Sequence, residues 1–157
     1  MTTATVLAAV TLVACAAGAP SGSGGTPAEL SFETIVDEVT SGLHERRREV
    51  IRDEAGWARL WAEVHEGVTP QPTLPPVDFS RDMLIAVTTG TRPTGGFDIE
   101  IRSVALRGQR LEVAVHETCP ALGDRVSMGL TQPVEVVRLA RLPQALTFQE
   151  TRTASCR

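Results

Sequence analysis

Met83-Leu84-Ile85-Ala86-Val87 leads through a glycine-rich loop into Phe97-Asp98-Ile99-Glu100-Ile101-Arg102-Ser103-Val104-Ala105-Leu106. The first run is short, apolar and unbroken, the pattern of a strand covered on both faces. In the second, Phe97, Ile99 and Ile101 alternate with Asp98, Glu100 and Arg102, so one face is buried and the other wet. The apolar phase then slips to Val104 and Leu106. Strand side chains alternate with period 2, so a slip of one residue predicts a β-bulge near Arg102-Ser103.

Strands continue on either side. Gly108-Gln109 is a hairpin turn that pairs Leu106 with Leu111 and Val104 with Val113, and Val115 extends the same face. Thr131 to Leu139 forms another strand, with Pro133 near its start or at an edge. Leu146 and Phe148 mark a last one. Upstream, Ser31 to Val36 is rich in β-formers, Ser41-Gly42 is a turn, and Arg46 to Ile51 is a second strand. Between these groups lies one helix, Glu54 to Glu66. Trp57, Leu60, Trp61 and Val64 fall at i, i+3, i+4 and i+7, a single apolar stripe. Asp53 is placed to cap the helix, Glu54 suits its positive end, and Gly67 and Pro70 stop it. Pro70, Pro72, Pro75 and Pro76 make the following segment a stiff, extended crossing of the surface. The fold class is α+β: a mainly antiparallel sheet, curved or doubled over, with one amphipathic helix packed on it.

The N-terminus carries a separate signal. Ala4 to Ala14 is apolar but too short to span a bilayer, which takes about 20 residues. It ends in Leu12-Val13-Ala14-Cys15, which looks like a bacterial lipobox, although Met1-Thr2-Thr3 lacks the basic start usual in leaders. The expected organisation is a lipoprotein signal peptide over residues 1–14, a lipidated Cys15 heading a flexible Gly/Ser/Ala linker over 15–29, and a globular domain over 30–157. Such a protein sits in the cell envelope, outside the cytoplasm, held to a membrane by its acyl chains. With Cys15 lipidated, Cys119 and Cys156 remain as a pair in a compartment where disulfides persist. Their bond closes a loop of roughly 37 residues. The net charge of -4 speaks against a nucleic-acid partner.

No catalytic constellation emerges. A zincin helix needs His-Glu-x-x-His. After His44-Glu45, His65-Glu66 and His116-Glu117 the required positions hold Arg48, Thr69 and Pro120. A Gly-x-Ser-x-Gly elbow and a Walker-type loop are also missing. The expectation is therefore no enzyme, no metal and no cofactor. His116 falls on the wet face of its strand, opposite in phase to Val113 and Val115. Arg46-Arg47-Arg48 reads as a charged edge strand that discourages sheet-to-sheet pairing. The remaining feature is the loop Thr91-Arg92-Pro93-Thr94-Gly95-Gly96-Phe97, a candidate partner-binding loop with Arg92 and Phe97 as its anchors.

These residues carry a resemblance. Trp57-Ala58-Arg59-Leu60-Trp61, Pro76-Val77-Asp78-Phe79-Ser80-Arg81-Asp82-Met83, the loop from Gly90 through Phe97-x-Ile99-x-Ile101, and Thr131-Gln132-Pro133 before Val136-Val137 resemble the C-terminal domain of the PrcB family, over roughly Glu49 to Phe148. Phe97 stands where that family often has Tyr, and Val134 where an aromatic is common. The family is named for a lipoprotein subunit of a surface-protease complex. The resemblance thus implies an exported, non-catalytic accessory domain whose partner is a protein, a protease in the name-giving case. Two other classes remain open at this point. A small-ligand-binding lipoprotein requires a cavity inside the sheet. A hydrolase with a distributed site requires titratable groups that converge.

Overall fold

The computed structural model describes residues 27–156. The expected signal peptide, Cys15 and most of the expected linker lie outside the described residues. Among these, the chain order is β1 (Ala28–Leu30), β2 (Phe32–Glu38), β3 (Arg47–Ile51), α1 (Glu54–Val64), β4 (Asp82–Thr88), β5 (Asp98–Arg107), β6 (Arg110–Thr118), β7 (Val134–Ala140) and β8 (Ala145–Arg152). The strands form two four-stranded sheets, one ordered β1-β5-β6-β8 and the other β2-β7-β4-β3. The α+β class holds, and the sheet is doubled.

Burial on two sides builds this architecture around β4. Met83, Ile85 and Val87 point between the sheets, where they meet Ile99, Ile101, Val104, Leu111, Val113, Val115, Val137 and Leu139. Leu84 and Ala86 point the other way and pack with Trp57, Leu60 and Val64 of α1. The unbroken apolar run of β4 is thus the middle of three layers, sheet, sheet and helix. Asp53 accepts from the Gly56 N–H at 2.7 Å and caps the helix as its sequence predicts. The proline-rich segment after the helix is tied down by the two tryptophans. Trp57 Nε1 donates to the Pro75 carbonyl at 3.0 Å and Trp61 Nε1 to that of Pro72 at 2.9 Å. Trp57 buries its ring, Trp61 half-buries its own, and both satisfy their polar edge in one arrangement.

The predicted details of the β5–β6 hairpin hold: Val104 pairs with Val113, Leu106 with Leu111, and the register shifts between Ile101 and Ser103. One boundary differs from expectation. Strand pairing begins at Ala28, two residues inside the stretch read as linker, because Leu30 packs on the inter-sheet core and draws Ala28 and Glu29 into register with Leu106 and Ala105. The pairing is mainly antiparallel, as expected, and β8 lies parallel to β6. The chain crosses to the opposite sheet as β7 between them, and that excursion removes the alternation of a simple meander.

A carboxylate enters the inter-sheet space from a largely apolar strand. Glu135 lies in phase with Val137 and Leu139 and is buried. Its Oε2 accepts from the backbone N–H of Ile101, at the bulge, and its Oε1 accepts from the Thr34 hydroxyl at 3.0 Å. The carboxylate thus caps a donor on the strand of the facing sheet. Burial pushes the Glu135 carboxyl above the ordinary range, against the bonds from Ile101 and Thr34, with Asp37 and Glu100 adding to the rise.

A raised native pKa means the folded protein holds this proton more tightly than the unfolded chain. The contribution to stability is therefore complete below the ordinary glutamate pKa and is lost as pH rises through the native value. Glu135→Gln keeps an acceptor for Ile101 and is expected to flatten this loss in urea denaturation compared between about pH 4 and pH 8. Glu135→Ala leaves the buried N–H unpaired and is expected to cost about 1–3 kcal/mol.

Candidate functional site

The two sheets are closed along one side by the chain itself, which crosses between them at Ser31, from β1 to β2. On the other side lie the edge strands β3 and β8, and here charge closes the gap. Alternation along β3 sends Arg47 and Glu49 toward the helix, where they pair with Glu63 and Arg59. The same alternation sends Arg46 and Arg48 toward the other sheet. The basic run is an edge strand, as expected, but its side chains are also engaged on both faces.

Glu117, near the end of β6, is the centre of this closure. It is in phase with Val113 and Val115, so it points inward, and its side chain is only 3% exposed. Three arginines converge on it from separate segments. Arg46 Nη1 lies 2.8 Å from Oε2, Arg152 Nε lies 3.2 Å from the same oxygen, and Arg92 Nη2 pairs with Oε1. Glu150 on β8 holds Arg46 as well, and Arg48 Nε at 2.9 Å. Burial draws the Arg46 guanidinium down and the two glutamates outweigh it, so its net shift is upward. Burial raises the Glu150 carboxyl, but Arg48 and Arg46 outweigh that and leave it below its ordinary range. For Arg48 burial wins, reinforced by Arg46, and its pKa falls.

The candidate loop Thr91–Phe97 sits on this end, and it is pinned. Arg92 and Thr131 exchange backbone hydrogen bonds at 2.7 and 3.0 Å, and the Gly95 N–H donates to the Ser127 carbonyl at 3.0 Å. Thr131 Oγ1 donates to the Thr94 carbonyl at 2.8 Å. The two glycines are needed for this contact. A Cβ on Gly95 would stand 2.5 Å from Ser127 Oγ, and Gly96 has φ +81°, with Val126 2.9 Å from its Cβ position. Arg92, read above as one of the loop's anchors, is half-buried, bound to Glu117 and set over the Phe97 ring at 5.4 Å. Thr91 and Pro93 are the loop's exposed tips.

Cys119 and Cys156 form a disulfide. Around it the C-terminal turn is stitched to β6: the Thr153 N–H donates to the Glu117 carbonyl at 3.0 Å, and Ser155 Oγ to the Cys119 carbonyl at 2.6 Å. The disulfide, Arg92, Phe97, Glu117, Pro120 and Arg152 enclose a cleft of about 210 Å³. His116 does oppose Val113 and Val115 in phase, on the face where its cross-strand neighbours Glu100 and Thr151 are exposed. Its own ring is nonetheless buried, with Nδ1 2.9 Å from the Thr151 hydroxyl. His116 and Glu117 therefore point to opposite faces of the sheet, and no convergent acid–base pair arises from them. The inter-sheet space is filled by side chains such as Met83, Ile85 and Leu111, all at 0% exposure, which leaves the small-ligand reading without the cavity it requires.

Residues 83–140 match the family model described as PrcB C-terminal. This is narrower than the resemblance drawn from Glu49 to Phe148, and it runs from β4 to β7. It takes in the central strands of the second sheet, the β5–β6 hairpin, the Thr91–Phe97 loop and Glu117. No curated protein and no solved structure matches the chain.

The disulfide anchors the segment that carries Arg152 and Ser155. Replacing Cys119 and Cys156 by Ala frees a loop of 37 residues. The expected loss is about 3–4 kcal/mol by the chain-entropy account, read as a lower denaturation midpoint that excess reductant reproduces in the unmodified protein.

Proposed function

We propose that this protein is a non-catalytic accessory domain that binds a protein partner and supports the assembly or stability of an exported protease complex. The match of residues 83–140 to the PrcB C-terminal family carries this reading. The form of the loop end supports it. Interfaces gain affinity when their loops are already ordered before binding, and here Thr91–Phe97 is fixed by backbone bonds to Thr131 and Ser127. Exposed Leu122, Met128 and Leu130 lie on the β6–β7 loop that holds it, at 107%, 87% and 65% exposure. These exposed apolar side chains offer contact area to a partner on the same loop that holds Thr91–Phe97. We further propose that the domain works outside the cytoplasm, tethered through a lipidated Cys15. The Gly/Ser-rich stretch after that cysteine supplies reach, and acyl burial of about 0.8 kcal/mol per CH₂ makes two chains a stable anchor.

Two experiments test these statements. Full-length protein purified from membrane extracts is expected to recover a protease subunit. Thr91→Asp with Pro93→Asp, both at exposed tips, is expected to cut that recovery at least about tenfold with an unchanged melting temperature. Undiminished recovery removes the loop end from the contact. Intact-mass measurement of the membrane-extracted protein is expected to show a chain beginning at an acylated Cys15. A chain that retains Met1, or an unmodified Cys15, refutes the tether.

A further inference from the structure

The arginines at this end outnumber the carboxylates that hold them. Arg46, Arg48, Arg92 and Arg152 face Glu117 and Glu150, a local excess of two positive charges in a chain of net charge -4. Donors are also in excess. Arg92 Nε is buried and has no hydrogen-bond partner among the described residues. Arg152 touches Glu117 through Nε alone. Its Nη groups make no hydrogen bond to another described residue, and its side chain is 50% exposed where it lines the cleft. The ion pair holds this guanidinium beside Glu117 and leaves its outer nitrogens available to a ligand carboxylate.

The size and surroundings of the cleft narrow what it takes. At about 210 Å³ it is smaller than the roughly 300–1,000 Å³ of sites that enclose cofactors and drug-sized ligands. It suits one side chain. Two of its lining residues, Pro120 and Ser155, also line a second hollow of about 540 Å³, walled by Ala121, Leu122 and Ala154. A cationic well thus lies beside a more apolar shelf, with the fully exposed Leu122 on its wall.

We propose that this groove binds an extended protein segment in which an acidic side chain, seated against Arg152 and Arg92, is followed by an apolar side chain on the shelf beside Leu122. The proposal rests on the accessory-domain reading above and names the chemistry its partner presents. Arg152 supplies a forked pair of donors to the carboxylate, and Arg92 supplies charge from the inner wall. Glu117 does not compete for the ligand, because both its oxygens already serve arginines. Its role is to hold Arg46, Arg92 and Arg152 close together despite their mutual repulsion.

The test uses the peptide acetyl-Gly-Glu-Leu-Gly-amide and its counterpart with Gln in place of Glu, titrated into the oxidised protein and followed by NMR shifts of the backbone amides of Ala121, Leu122, Ser155 and Cys156. The Glu peptide is expected to bind about tenfold tighter than the Gln peptide, with the advantage shrinking as salt is raised. Arg152→Gln is expected to abolish the advantage. Arg152→Lys, which keeps the charge and loses the fork, is expected to retain a fraction of it at an unchanged melting temperature. Arg110→Gln, at the far end of β6, serves as the control and is expected to change nothing.

Equal binding of the two peptides overturns the proposal. So does an advantage that survives in Arg152→Gln, or inorganic phosphate alone binding as tightly as the Glu peptide. Full-length Arg152→Gln that still recovers its partner from membrane extracts removes the carboxylate site and leaves the accessory-domain reading standing. Loss of recovery in Thr91→Asp with Pro93→Asp bears on that reading alone.

Discussion

The structure depends on one strand being dry on both faces. Met83, Leu84, Ile85 and Val87 are at most 1% exposed, and each such side chain contributes about 1.5–3 kcal/mol through burial. They satisfy this only if a second sheet covers one face of β4 and the helix the other. That condition places Trp57, Leu60 and Val64 above Leu84 and Ala86 and sets Ile99, Val113 and Val115 below Ile85. The direction in which β4 ends also fixes where its following loop emerges, beside the end of β6 and the C-terminal turn. The position of the candidate site thus follows from the packing of the core.

A sandwich of two sheets has open sides, and this one closes them by different means. On one side β1 turns directly into β2. On the other, β3 and β8 are edges of different sheets that cannot pair in register, and their side chains bridge the gap. Arginines suit the task because the guanidinium is planar, always charged and weakly hydrated, so it forms paired contacts at modest desolvation cost. Glu117, at 3% exposure, is the only deeply buried acid in this closure among the described residues, and it is satisfied by three cations. All three of these partners remain a quarter to a half exposed. The network therefore acts less as a source of stability than as a device that fixes where guanidinium groups point.

Much of this was legible in the residues and some was not. Periodicity gave β4, the β5–β6 register, the bulge at Arg102 and the tryptophan stripe of α1, because each depends on neighbours a few positions apart. The disulfide followed from counting cysteines. Glu117 was visible only as half of a His-Glu dipeptide. Its phase with Val113 and Val115 already pointed it inward, and an inward carboxylate in an arginine-rich chain is the signal that was available. Glu135 gave the same kind of clue, in phase with Val137 and Leu139. The parallel placement of β8 and the turn of Arg92 onto Glu117 depend on contacts between residues far apart in the chain, and local pattern carries no information about these.

The inward turn of Arg92 changes what the loop can do. A free arginine on a mobile loop loses conformational freedom when it binds, about 0.5–1.5 kcal/mol for such a side chain. Arg92 has already lost that freedom in folding. It is held by Glu117, the Phe97 ring and a backbone bridge to Thr131. The disulfide imposes the same constraint on the segment that carries Arg152, from the other wall of the cleft. Two cations from independent parts of the chain are thus gathered at one place before any partner arrives. Gly95 and Gly96 belong to the same logic. They permit the close approach of the Thr91–Phe97 loop to Ser127 and Val126 that a side chain would hold apart.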